Sequence, residues 1–203
     1  ATRVGLHSTI FGPYFVVAAI YSGVASIIVV MGILSKVYHL ERFITLKHFK
    51  SLAYILLVLN LVYLYFTISE WIISGYAGEV SELEWLNYVF SGQYQYFMWG
   101  FILFGILVPA AIIIFPKTAN IWGIVTASMM VVVAMWLKRF VIVVSTLAMP
   151  QISADIGTYF PTWVEWAITV AGIAAFMLLY LLFAKFFPLI SVWETKEEME
   201  KNM

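Results

Sequence analysis

Cysteine is absent from the 203 residues, which excludes a disulfide and also the thiolates that hold an iron–sulfur cluster or a covalently attached haem. A redox centre working with this chain must therefore be held by another. Histidine is scarce. His7, His39 and His48 all lie outside the long apolar runs, so the chain offers no intramembrane pair to ligate a b-type haem, and no metal site is expected. Charge is sparse as well. Ionisable Asp, Glu, Lys and Arg make up 11% of the chain, against about 25% in an ordinary soluble domain. Eleven basic residues balance eleven acidic ones, so nothing points to a nucleic-acid partner. Internal repeats, low-complexity tracts and phosphate-binding glycine motifs are also missing.

What fills the chain instead is apolar: 64% of residues are hydrophobic and the mean hydropathy is +0.97. No aqueous fold could hide that much apolar surface. The reading is an all-α integral membrane protein of about five transmembrane helices, a four-helix bundle plus one further helix. Apolar runs of spanning length fall at about 10–34, 51–76, 93–115, 119–148 and 161–187, giving one transmembrane domain over 1–192 and a polar cytoplasmic tail over 193–203. Aromatic residues crowd the run ends, among them Tyr14, Phe15, Trp71, Tyr76, Tyr94, Tyr96, Trp163 and Trp166, where amphipathic rings suit the headgroup layer. Pro109 falls inside the third run and is expected to kink it, whereas Pro116 and Pro161 fit run edges.

Basic residues set the orientation, because Lys and Arg stay on the cytoplasmic side during insertion. Lys36, Arg42, Lys47 and Lys50 lie between the first two spans, Lys117 between the third and fourth, and Lys185, Lys196 and Lys201 at the C-terminal end. The intervals 77–92 and 149–160, read as loops, carry no Lys or Arg; Glu79, Glu82, Glu84 and Asp155 occupy them. Those two loops are expected outside and the C-terminus in the cytoplasm, in the cell (inner) membrane. An odd number of spans then puts Ala1 outside, an arrangement expected of a truncated or split chain once preceded by further helices.

The most informative residues are the charges within spans. Lys138 and Arg139 sit in AMWLKRFVIVV, far from both ends of the fourth run. A charge near the bilayer centre costs about 2.5–3.5 kcal/mol on the insertion scale unless it meets a counter-charge, water or protein interior. Arg139 lies roughly 13 Å from the outer end at 1.5 Å per residue. Consecutive residues point about 100° apart, so Lys138 and Arg139 cannot share a face, and at least one must look into the bundle. Glu70 near the outer end of the second span and Glu165 near the outer start of the fifth are counter-charges at comparable depth. With His7 and Tyr14 near the start of the first span they form the candidate set for an outward-opening polar pocket or proton relay. Asn60, Thr67, Ser128 and Thr126 are the better polar stepping stones deeper in, and Asn60 has the character of an interhelical hydrogen-bonding residue. Plainer readings stand beside these: interfacial placement or snorkelling for Glu165 and Lys185, and a structural ion pair between Glu70 and Arg139.

Five strings carry a family likeness: HSTIFGPYFVVAAIYSG, ITLKHFKSLAYILL, ISEWIISGYAG, WLKRFVIVVSTL and PTWVEWAI. Together and in this order they resemble the NrfD-type, polysulfide-reductase membrane-subunit family, which includes the quinol-interacting subunits of alternative complex III. The resemblance implies the second of two four-helix bundles followed by a final helix, about half the usual subunit. It implies a chain without a redox cofactor of its own, not catalytic alone, working with menaquinone or ubiquinone. Its expected partners are a ferredoxin-like iron–sulfur subunit, which accepts the electrons, and other membrane subunits. It also matches Glu70 and Arg139 to membrane-embedded charges of the family and His7 to the histidine preceding its PYF segment, with roles in proton transfer or quinone-side electrostatics. Lys138 departs from the pattern, since relatives often place Glu beside the arginine. A secondary transporter, an ion-conducting bundle or a structural anchor is the competing function class, for which embedded charges are equally expected but inverted repeats and paired broken helices are the usual marks.

Overall fold

A computed structural model describes residues 10–39, 44–148 and 161–186, and every regular element among them is a helix. These are α1 (Phe11–Val37), α2 (Leu46–Ala77), α3 (Val80–Ser91), α4 (Gln95–Phe101) continuing through a π-helical stretch (Ile102–Leu107) into α5 (Val108–Ile114), α6 (Ile121–Ala148) and α7 (Trp163–Phe186). Five helices are long and apolar enough to cross a membrane: α1, α2, the α4–π–α5 helix, α6 and α7. A helix covers each of the five apolar runs, with ends a few residues from those of the run. The largest shift is at the start of α2, where Thr45 and His48 form a capping box that begins the helix at Leu46. The tail 193–203 and His7 lie outside the described residues.

The chain divides into two units, residues 1–159 and 160–203. In the first, α1 packs on α2 and α6, the α4–π–α5 helix packs on α6 and reaches α2, and α2 touches α6. Tyr14 near the start of α1 meets Thr67 near the end of α2, and Lys36 near the end of α1 lies over the Trp122 ring at the start of α6. Both neighbours of α1 therefore run antiparallel to it.

The buried stripe of α2 is Phe49, Ala53, Leu56, Asn60, Tyr63, Thr67, Glu70 and Ser74, and that of α1 runs Tyr14, Ala18, Tyr21, Ala25 and Ile28. Steps of three and four alternate without a break, the 3.5-residue period of helices packed at a shallow left-handed crossing. The close approaches are made by small residues. A Cβ at Gly105 would lie 2.8 Å from Ala134 Cβ, so the π stretch can sit this near α6 only with glycine there.

Residues 77–92, read from sequence as a loop, contain α3. Gly78, at φ 65°, takes the left-handed conformation that ends α2. Glu82 then sits in the first turn of the new helix, where a carboxylate opposes the helix dipole. Glu82, Trp85 and Val89 turn inward, and Trp85 Nε1 donates to Ser145 Oγ on α6 at 3.0 Å. Twelve residues are too few to cross a bilayer, which is why a search for spans passes over this helix. The side of the bundle it covers is called the α3 end below. Lys36, Lys47, Lys50 and Lys117 lie at the other end.

Pro109 lies just after the π stretch, and the helix runs on through both from Gln95 to Ile114. In a regular helix residue 109 would donate to the carbonyl of Gly105, and proline has no N–H to give. Tyr21 Oη donates to Gly105 O at 2.8 Å and Asn60 Nδ2 donates to Ile106 O at 3.0 Å. Side chains from α1 and α2 thus take up carbonyls of the π stretch, as a backbone within a membrane requires.

In the second unit, α7 opens on Pro161 and Thr162. Glu165 Oε2 accepts the Thr162 N–H at 2.7 Å, an N-terminal cap that also places a carboxylate at the positive end of the helix.

Candidate functional site

The polar half of the α2 stripe, from Asn60 to Ser74, is the spine of the site, and Asn60, Tyr63 and Thr67 in it meet partners from other helices. Thr67 Oγ1 donates to its own helix at Tyr63 O (2.8 Å) and lies 3.1 Å from Tyr14 Oη. Tyr14 Oη donates to Tyr63 Oη at 3.0 Å, and the two rings stack with centroids 5.0 Å apart. Tyr21 stacks on the other side of Tyr63 at 5.7 Å, and Phe101 meets Tyr63 edge-on at 6.0 Å. The three tyrosine rings thus form a stack, in which the hydroxyls of Tyr14, Tyr63 and Thr67 meet inside an apolar bundle while that of Tyr21 goes to Gly105 O. Asn60, one turn further in, uses its amide N–H on Ile106 while its Oδ1 has no hydrogen-bond partner among the described residues.

Lys138 enters this core from α6 and is 2% exposed. Its Nζ lies 5.4 Å from the Phe101 ring centroid, 5.7 Å from that of Trp71 and 4.0 Å from Met98 Sδ. Two ring faces and a thioether are soft partners for an ammonium, which carries three N–H donors. Glu70 is within electrostatic reach of it, and Glu82 on α3 within reach of Glu70. Glu70 and Glu82 are 9% and 7% exposed. Two carboxylates and a lysine therefore run from the covering helix α3 into the bundle, and the Glu70 charge also reaches Tyr14 and Tyr63. Trp71, beside Glu70 in sequence, packs edge-on to Phe90 at 4.9 Å, and its Nε1 is buried without a hydrogen-bond partner among the described residues.

Of the six residues singled out from sequence, the structure brings together Tyr14, Glu70 and Lys138. Arg139 goes elsewhere. It is exposed, its Nη2 donating to Ser22 Oγ on α1 at 3.2 Å and its guanidinium lying 5.7 Å from the Phe15 ring centroid. An ion pair between Glu70 and Arg139 is thus replaced by proximity of Glu70 and Lys138. The reason is the phase of α6, whose buried stripe Ile124, Val131, Met135, Lys138, Val141 and Ser145 leaves position 139 on the outside. Glu165 belongs to the second unit and caps α7 there, and His7 is not among the described residues. Of the stepping stones, Asn60, Thr67 and Ser128 are buried, while Thr126 is exposed and bonds back to Trp122 O at 2.7 Å. Tyr63, Tyr21 and Glu82 were missed. The heptad spacing of Asn60, Tyr63, Thr67, Glu70 and Ser74 is the signal that would have found Tyr63.

The family model described as "Polysulphide reductase, NrfD" matches residues 2–151. The chain belongs to the NrfD family. The match takes in α1 to α6 and with them Tyr14, Tyr63, Glu70, Glu82 and Lys138, whereas α7 falls beyond it. Among curated proteins, this NrfD chain is 27% identical over 217 aligned positions to a protein of Archaeoglobus fulgidus named Hdr-like menaquinol oxidoreductase integral membrane subunit. That alignment covers 96% of this chain and 53% of the relative, so the chain spans about half the length of the relative it matches.

Proposed function

We propose that this chain is a membrane subunit of a quinone-linked oxidoreductase complex. Quinol is oxidised at the α3 end, two electrons pass to an iron–sulfur partner subunit docked on that side, and the two protons leave through embedded groups of the bundle. Membership of the NrfD family and the likeness to a menaquinol oxidoreductase membrane subunit support the reading. The observation that carries it is the burial of Lys138 on α6, Glu70 on α2 and Glu82 on the covering helix α3, a cation and two carboxylates inside one bundle. Groups of this kind are costly in a membrane and mark proton or substrate paths.

In this reading Lys138, whose described hydrogen-bond partner is a thioether, has donors left for an oxygen acceptor such as a quinone carbonyl or water. Glu70 accepts a proton in the interior and Glu82 hands it toward the surface. Tyr14, Tyr63 and Thr67 hold the Glu70 side of the path in one geometry through their hydroxyl bonds. The α3 end faces outward, and the end bearing Lys36, Lys47, Lys50 and Lys117, like the C-terminus, faces the cytoplasm of a cell with the chain in its inner membrane.

Purification of the intact complex in mild detergent tests this directly. An iron–sulfur subunit and extractable menaquinone or ubiquinone are expected to travel with the chain. Glu70→Gln and Lys138→Met are expected to lower quinol oxidation about a hundredfold or more, the low end of what a proton-transfer group contributes. A complex without quinone or an iron–sulfur subunit, or wild-type turnover in both folded variants, would overturn the proposal.

A further inference from the structure

Arg139 poses a problem that the buried row does not solve. Its guanidinium is held between Ser22 and the Phe15 ring, which lie 11 and 4 residues beyond Phe11, or roughly 16 and 6 Å along α1 at 1.5 Å per residue. The side chain therefore reaches across α1, and its one hydrogen bond is made within the span at Ser22. Of its five donors one is used, on a hydroxyl, and the other contact is the Phe15 ring. A lipid chain at that depth offers neither an acceptor nor a counter-charge.

The backbone beside it is open to a close neighbour. Ala19 and Gly23 are exposed, Ser22 and Ser26 half-buried, and nothing lies within 4 Å of where a Cβ on Gly23 would be. Small residues of this kind let another helix approach. The alignment leaves nearly half of the Archaeoglobus relative without a counterpart here, enough chain to supply one.

We propose that the α1/α6 side around Arg139 is an interface for a membrane-spanning helix from outside residues 1–203, and that this helix brings an Asp or Glu to the depth of Ser22. The sign of the partner's charge follows from the guanidinium, its burial in the bilayer from the level of Ser22, and its close approach from the small residues of α1. The inference is independent of the quinone reading.

Residues 1–203 contain no cysteine, so an introduced one is the single maleimide site on this part of the complex, and the parent complex without it is the labelling control. Gly23→Cys and Val143→Cys, the latter exposed one turn beyond Arg139 on α6, are introduced singly into the intact complex in native membranes, tagged with a benzophenone maleimide and irradiated. The expected product is a cross-link to a membrane-spanning peptide that contains an acidic residue. A new, heavier band places that helix on a separate subunit, whereas an unshifted band with a peptide preceding residue 1 places it on the same polypeptide. Adding Arg139→Leu should cut the yield about tenfold and Arg139→Lys should keep most of it. If Arg139→Leu does not assemble, the identity of the cross-linked peptide in the Arg139 background decides the matter. Lipid adducts alone, cross-links confined to residues 1–203, or a partner helix without an acidic residue would overturn the proposal.

Discussion

Tyr21 Oη donates to Gly105 O at 2.8 Å, a bond between α1 and the carbonyl that Pro109 cannot serve. Loss of this hydroxyl removes a bond to a buried carbonyl, so Tyr21→Phe is expected to cost about 1 kcal/mol, the usual size of such a bond within a membrane bundle. The effect should shrink in a Pro109→Ala background, where residue 109 regains an N–H. Thermal inactivation of the four proteins of this cycle measures the coupling, and an undiminished Tyr21→Phe effect would separate the tyrosine from the proline.

Lys138 and Glu70 are expected to behave as a coupled pair. Removing either one leaves the other charge in the core with less compensation, whereas removing both lifts the demand. Lys138→Met and Glu70→Gln should each lower the thermal stability of the complex, and the double variant should recover about 1–3 kcal/mol relative to the sum of the single effects. Additive losses would mean that the two charges do not sense each other.

Gly105 is predicted to accept no larger residue. Gly105→Val would press β-branched carbon against Ala134 and the Phe101 ring, where an added Cβ already falls 2.8 Å and 3.2 Å from the nearest atoms. The expected penalty is about 1–3 kcal/mol, seen as lower abundance of folded protein in the membrane, and Ala134→Gly should relieve part of it.

The covering helix α3 is tied to the bundle by Trp85. Trp85→Phe keeps the ring in its pocket and removes the bond to Ser145, a loss of about 1 kcal/mol that should be local. Hydrogen exchange over residues 80–91 is expected to quicken about fivefold with the spans unchanged. Unaltered exchange there would show that packing of Val89 and Glu82 alone seats the helix.

The positions and number of the spans were legible because hydrocarbon thickness imposes length and apolarity on every crossing segment, and α1, α2, α6 and α7 satisfy both demands plainly. Pro109 marked the helix that carries the π stretch for an equally local reason. α3 was not legible by span length, and its sequence VSELEWLNYVFS becomes an amphipathic helix only when Trp85 and Val89 have a bundle to cover. Tyr14, Glu70 and Lys138 could be named in advance as polar groups at similar depth. Tyr63 and Tyr21 could not be told from interfacial or lipid-facing aromatics without the stripe to which they belong.

The sequence by itself determined the solvent of this protein, the five apolar runs that became candidate crossings among the described residues, the unequal distribution of basic residues between its two ends, and the presence of two adjacent cations that a bilayer does not tolerate unpartnered. Only the tertiary structure decided that Lys138 enters the core beside Glu70 while Arg139 lies across α1 against Ser22. In water the buried face of a helix declares itself by contrast with a polar face. In a membrane both faces are apolar, so the rotation of α6 about its axis is set by how its side chains pack against α1, α2 and α4, and that information is spread over four helices.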